Sequence, residues 1–64
     1  MNRNRLCIYP KDVSIITGRG RKYAQKLLRD IRFLHAKQAH QFVTVQEFAD
    51  YTGIQLDLIL VVVK

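Results

Sequence analysis

The chain has 64 residues, room for one small domain, and a chain of that size buries only about 60% of the surface its unfolded form exposes. Eleven Lys and Arg against five Asp and Glu give a formal charge of +6, which favours a polyanionic partner and makes nucleic acid the leading class. Cys7 is the only cysteine, which excludes an internal disulfide and a cysteine-based zinc site within one chain, and it reads as a small buried hydrophobe.

Residues 1–9 read as a basic N-terminal arm and residues 10–64 as a single domain. Within the arm, "NRNR" at 2–5 offers cations for a phosphate or minor-groove contact, with a solvated terminus as the plainer reading. "MNRNRLCIYP" lacks the apolar run of a signal peptide, and "LILVVV" at 58–63 is too short to span a bilayer. The expected home is therefore the cytoplasm, with no membrane partner.

Pro10 stands where a helix begins, because its missing N–H would be unpaired in the first turn anyway. "PKDVSIIT" then sets Val13, Ile16 and Thr17 on one side and Asp12 near the positive end, predicting a short helix over Pro10–Thr17. Gly18 ends it in a left-handed cap.

The next segment carries the strongest periodicity. Tyr23, Ala24, Leu27, Leu28, Ile31 and Leu34 fall on one stripe at about 100° per residue, a face to be buried. Arg21, Lys22, Lys26, Arg29, Arg32 and Lys37 take the opposite arc, interrupted by Gln25 and by Phe33, an exposed aromatic with no assigned role. The helix is expected over residues 21–37.

"AKQAHQF" reads as a connection. Thr44 followed by Glu47 then forms a capping box, with Val43 and Phe48 as the accompanying hydrophobic staple, so a third helix is expected from Val45 to Thr52 with Gly53 as its stop. For the last segment a helix from Leu56 is preferred to a strand. Its run Leu58, Ile59, Leu60, Val61, Val62 and Val63 leaves no wet face, and core burial and a homodimer seam are equal explanations. "RLCIY" and "QFVTV" alternate weakly enough to pair as a minimal ribbon. "DVSIITG" and "EFADYTG" also echo one another, which suggests two turns of one type, the second lacking cations and serving structure. The fold expected is mainly α, a small three- to four-helix helix-turn-helix domain with that ribbon.

"GRGRK" at 18–22 admits three readings. A phosphate loop needs Lys and a hydroxyl residue after the glycine, and neither Gly18 nor Gly20 provides them. An arginine-glycine minor-groove hook keeps its strand extended, whereas this stretch enters a strong helix. A helix-turn-helix accounts for the most residues, with a short helix, a glycine turn and a longer helix packed on one side.

"DVSIITGRGRKYAQKLLRDI" resembles the helix-turn-helix of bacterial regulators, near excisionases and mercury-regulator-type domains. The resemblance implies that Val13 is the buried residue of the first helix, Ser14 the small residue at the crossing and Gly18 the turn glycine. Ala24 and Leu27 would be packed residues of the recognition helix, and Gly20, Arg21, Lys22, Gln25 and Lys26 would face the bases. Arg19 departs from the apolar residue usual after the glycine, and Gly20 from the usual Ser or Thr cap. The setting it implies is a small transcriptional regulator or recombination accessory factor of bacterial mobile elements.

The expected partner is double-stranded DNA, bound by Arg19, Gly20, Arg21 and Lys22 at the turn and by Gln25, Lys26 and Arg29 along the helix. RNA is the weaker option, since no aromatic-rich sheet is evident. The rival reading is a protein-interaction module that uses the apolar C-terminal segment. No catalytic constellation emerges and no enzyme, cofactor or small-molecule substrate is expected. His35 and His40 have no nearby carboxylate or cysteine in sequence to complete a metal shell.

Overall fold

The computed structural model describes residues 6–63. Within them β1 (Cys7–Ile8), α1 (Pro10–Thr17), α2 (Arg21–Leu34), β2 (Val43–Thr44), α3 (Val45–Thr52) and α4 (Leu56–Val62) follow in chain order. The domain is mainly helical with one two-stranded antiparallel ribbon, in the register Cys7↔Thr44 and Ile8↔Val43. The ribbon draws Ile8 into the core, where it is almost fully buried, whereas Cys7 on the other face of the strand is half-buried rather than the buried hydrophobe expected. The "NRNR" arm at 2–5 lies outside the described residues.

Each helix start and stop has a local cause. Pro10 opens α1, and the backbone N–H of Tyr9 donates to Asp12 Oδ2 at 2.9 Å. At the start of α3 the Glu47 N–H donates to Thr44 Oγ1 (3.1 Å) while the Thr44 N–H donates to Glu47 Oε1 (3.0 Å), the reciprocal box expected of this pair. Val43 and Phe48, on either side of that cap, are both inside the core.

α1 and α3 end alike. Gly18 (φ 72°) and Gly53 (φ 79°) take the left-handed conformation that a Cβ disfavours, and their N–H groups donate to Ser14 and Ala49 carbonyls. Ahead of each glycine a threonine hydroxyl donates back along its helix, Thr17 to the Val13 carbonyl and Thr52 to the Phe48 carbonyl, both at 2.8 Å. The same hydroxyls then accept from Arg19 N–H and Ile54 N–H. One sequence offset relates Asp12 to Glu47, Val13 to Phe48, Thr17 to Thr52 and Gly18 to Gly53, and it also relates Ile8 to Val43, its ribbon partner. Ala24 and Ile59, likewise Leu28 and Val63, are equivalent under it and all buried. The chain is two βαα halves joined through the ribbon, with α1 packed on α2 and α4, and α3 on α4 and α2.

Several expectations are corrected. α2 stops at Leu34 rather than running over residues 21–37. Ala36 adopts φ 56°, and the Lys37 and Ala36 N–H groups close on the Arg32 and Phe33 carbonyls (2.8 and 3.1 Å), a left-handed stop made without glycine. Lys37 is therefore off the cationic arc of the helix; its Nζ lies 3.2 Å from Glu47 Oε2. On the stripe, Ala24, Leu28 and Ile31 are buried and Leu27 packs beside them, but Leu34 is 64% exposed and Tyr23 38% exposed, because the core ends before them. Ile59 in α4 and Val63 just after it are core residues, which removes them from any seam, whereas Leu58, Val61 and Val62 remain exposed.

Glu47 joins the parts of the fold that meet near the end of α2. Partial burial pushes its carboxyl up, but the Thr44 N–H, the Lys37 ammonium and His35 (Nδ1 at 4.0 Å) outweigh this and hold it below its usual value. A depressed carboxylate stabilises the fold above its unfolded-state pKa, and that contribution is lost as pH falls through the folded value. Replacing Thr44 by Ala removes the hydroxyl end of the box and costs about 1 kcal/mol. For a domain of this size the melting midpoint should fall by about 4–8 °C, while Thr44→Ser should stay close to the parent. Thermal melts followed by circular dichroism check this, and an unchanged midpoint for Thr44→Ala would show that the box carries no stability.

Candidate nucleic-acid interface

The turn between α1 and α2 is three residues long, Gly18 to Gly20. Gly18 needs its glycine for the positive φ, whereas Gly20 sits at an ordinary extended φ of −76° with open space around an added Cβ. Gly20 caps α2 without a side chain, so the first N–H groups of that helix have no side-chain acceptor there. Asp and Glu are absent from the first turn of α2, and cations stand at its opening instead.

Along α2, Arg21, Lys22, Gln25, Lys26 and Arg29 are all exposed, on an arc of about 140° opposite the buried Ala24, Leu28 and Ile31. The arc carries four cations and one amide within a little over two turns. Lys26 Nζ meets Asp30 Oδ2 at 3.2 Å, an exposed pair spaced i to i+4 that is worth little against solvent. Arg29 has no carboxylate partner among the described residues. Arg32, at one edge, is half-buried.

Arg19 goes elsewhere. Its guanidinium lies 4.3 Å from the Tyr23 ring centre, a cation–π contact that holds it beside the other edge of the packed stripe. Of the seven residues expected to meet DNA, five share one face, Gly20 sits at its N-terminal edge, and Arg19 is turned toward Tyr23. Sequence reasoning could not foresee that contact, since it depends on how the turn folds back.

A second feature escaped the sequence. The connection after α2 folds against the arc, with the Gln38 N–H donating to Gln41 Oε1 at 2.6 Å and the Gln41 N–H to the Gln38 carbonyl at 3.0 Å. Tyr9 and Phe42 meet edge to face, with ring centres 6.1 Å apart. Between this loop and α2 lies a cleft of about 230 Å³, with Gln25 and Arg32 on the helix side and His40 and Phe42 on the loop side. The polar residues Gln38, His40 and Gln41 in that connection were its sequence signal.

A third surface is apolar. Ile15 and Ile16 of α1, Ile54, and Leu58 and Val62 of α4 line a groove of about 300 Å³ on a face separate from the cationic arc. Among the described residues there is no cluster of three or more His, Cys, Asp or Glu side chains able to hold a metal ion, and no helix long and apolar enough to cross a membrane. No protein-family model, curated protein or solved structure matches the chain.

Proposed function

We propose that the chain is a duplex DNA-binding protein of helix-turn-helix type that inserts the N-terminal part of α2 into the major groove. The observation that carries this reading is the arc of Arg21, Lys22, Gln25, Lys26 and Arg29, exposed on a helix whose other side is fixed in the core. A rigid cylinder of about 10–12 Å diameter fits a major groove about 12 Å wide. Arg21 and Gln25 suit base edges, since guanidinium and amide groups make paired hydrogen bonds to guanine and adenine. Lys22, Lys26 and Arg29 suit the phosphates that flank the groove, and Gly20 leaves the backbone N–H groups at the helix start open to a further phosphate. Arg19 acts through the field rather than by touching the duplex.

The resemblance to excisionases and mercury-regulator-type domains supports a role as a small transcriptional regulator or recombination accessory factor in the bacterial cytoplasm. Binding rather than catalysis is the proposed activity, with no cofactor. Converting Lys26 and Arg29 together to Ala should weaken duplex binding across all sequences. It should also lower the salt dependence of log K by about two, near 0.9 for each phosphate that is no longer neutralised. Anisotropy titrations with mixed-sequence duplex at several salt concentrations measure both, and an unchanged slope would remove the assignment.

A second reading is favoured by the apolar groove of α1 and α4. Residues 54–63 carry Asp57 as their one charged residue, so two copies can meet there without cation repulsion while both α2 arcs stay outward. We propose this face, through Ile15, Leu58 and Val62 with the exposed Val61 of the same helix, as a homodimer seam; it replaces a seam through the whole of residues 58–63, because Ile59 and Val63 are core residues and Leu60 packs against that core. Leu58 lines the groove and is 57% exposed, so Leu58→Glu leaves the core intact. Sedimentation should give a dimer for the parent chain and a monomer for Leu58→Glu, and a monomeric parent would discard the seam.

A further inference from the structure

Among the described residues Phe33 is the most exposed large apolar side chain, at 87%. With Arg29, Arg32 and Lys37 it lines a shallow depression of about 250 Å³ at the C-terminal end of α2, closed at one edge by Ala39. A solvated phenyl ring costs free energy that a polar residue at the same position would avoid, and the helix gains no core packing from it. The depression is smaller than the roughly 300 Å³ at which drug-sized pockets begin, which suits a single planar ring.

Resting on the duplex-binding reading above, we infer that Phe33 is a base-stacking site for a nucleobase exposed at an opened or kinked step of the bound DNA. The neighbouring charges choose the partner. An apolar protein surface would have to desolvate Arg29 and Arg32, whereas a nucleotide offers a π-face to the ring and a phosphate to the guanidinium groups. Lys37 is already shared with Glu47 at 3.2 Å, so Arg29 and Arg32 carry the phosphate contact. Phe33 is displaced by about 12 Å along the helix axis from Gln25. If the axis follows the groove, that is roughly three to four base pairs from the step that Gln25 reads. The stacked base therefore belongs to the same bound duplex, beyond the directly read site. Apolar side chains that enter opened steps are a known way of bending duplexes.

The test uses the full chain, with Phe33→Ala and Phe33→Trp. The parent contains no tryptophan, so an indole at this position is a unique reporter. Three DNA probes are compared by anisotropy: an intact duplex, the same duplex with one unpaired base, and a single strand. The parent should bind the duplex with the unpaired base about tenfold more tightly than the intact one, and Phe33→Ala should bind the two alike. Indole emission from the Phe33→Trp protein should be quenched on saturation with the bulged duplex.

Retained discrimination by Phe33→Ala, or an unquenched indole at saturation, overturns the stacking site while leaving groove binding by α2 intact. Salt-insensitive or absent binding to every probe overturns both readings. A lower sedimenting mass for Phe33→Ala, with DNA discrimination unchanged, would make the ring part of a protein seam instead and also overturn the inference.

Discussion

At Gly18 the chain turns through a left-handed residue and delivers α2 against the helix it has just left. The turn works because Thr17 binds back to the Val13 carbonyl and also accepts from Arg19, so both sides of the bend are pinned by one hydroxyl. Val13 and Ala24 are then both fully buried, and the small side chain at Ala24 lets the two helices approach closely. Once that crossing is fixed, the rotation of α2 about its own axis is fixed as well. Which side chains of α2 face water follows from it.

The same device, repeated at Gly53, shows what is structural and what is particular. Gly53 and Thr52 set α4 on α3 as Gly18 and Thr17 set α2 on α1. The equivalents of Arg21, Lys22, Gln25 and Lys26 are Leu56, Asp57, Leu60 and Val61, and a duplicated scaffold thus carries cations on one helix and hydrocarbon on the other. Those cations of α2 take no part in the packing, whereas Leu56 and Leu60 also pack against the core. Each helix presents its own surface chemistry, cationic on α2 and apolar at Leu58, Val61 and Val62 of α4.

Much of this was legible because its causes are local. Pro10, the Thr44 and Glu47 box, Gly18 and Gly53 each act within a few residues, and the helix bounds they imply for α1 and α3 coincide with those observed. The ribbon and the helical form of residues 56–62 also followed the sequence. The stop of α2 was not legible, since Ala36 holds a left-handed conformation that alanine alone does not announce. The positions of Lys37, Leu34 and Ile59 depend on packing between distant segments, which a helical wheel does not contain. For the candidate surface the periodicity of α2 identified the arc, whereas the fold of Arg19 onto Tyr23 and the loop beside Gln25 required tertiary structure.

The central claim is that duplex DNA lies against the exposed arc of α2. The most direct measurement is a two-dimensional amide spectrum of the isotopically labelled chain titrated with duplex DNA. The largest shifts should fall on the amides of Gly20, Arg21, Lys22, Gln25 and Lys26 and on their side-chain signals, with the α4 amides nearly unmoved. Shifts concentrated on Ile15, Leu58 and Val61 while the α2 signals stay in place would contradict the account.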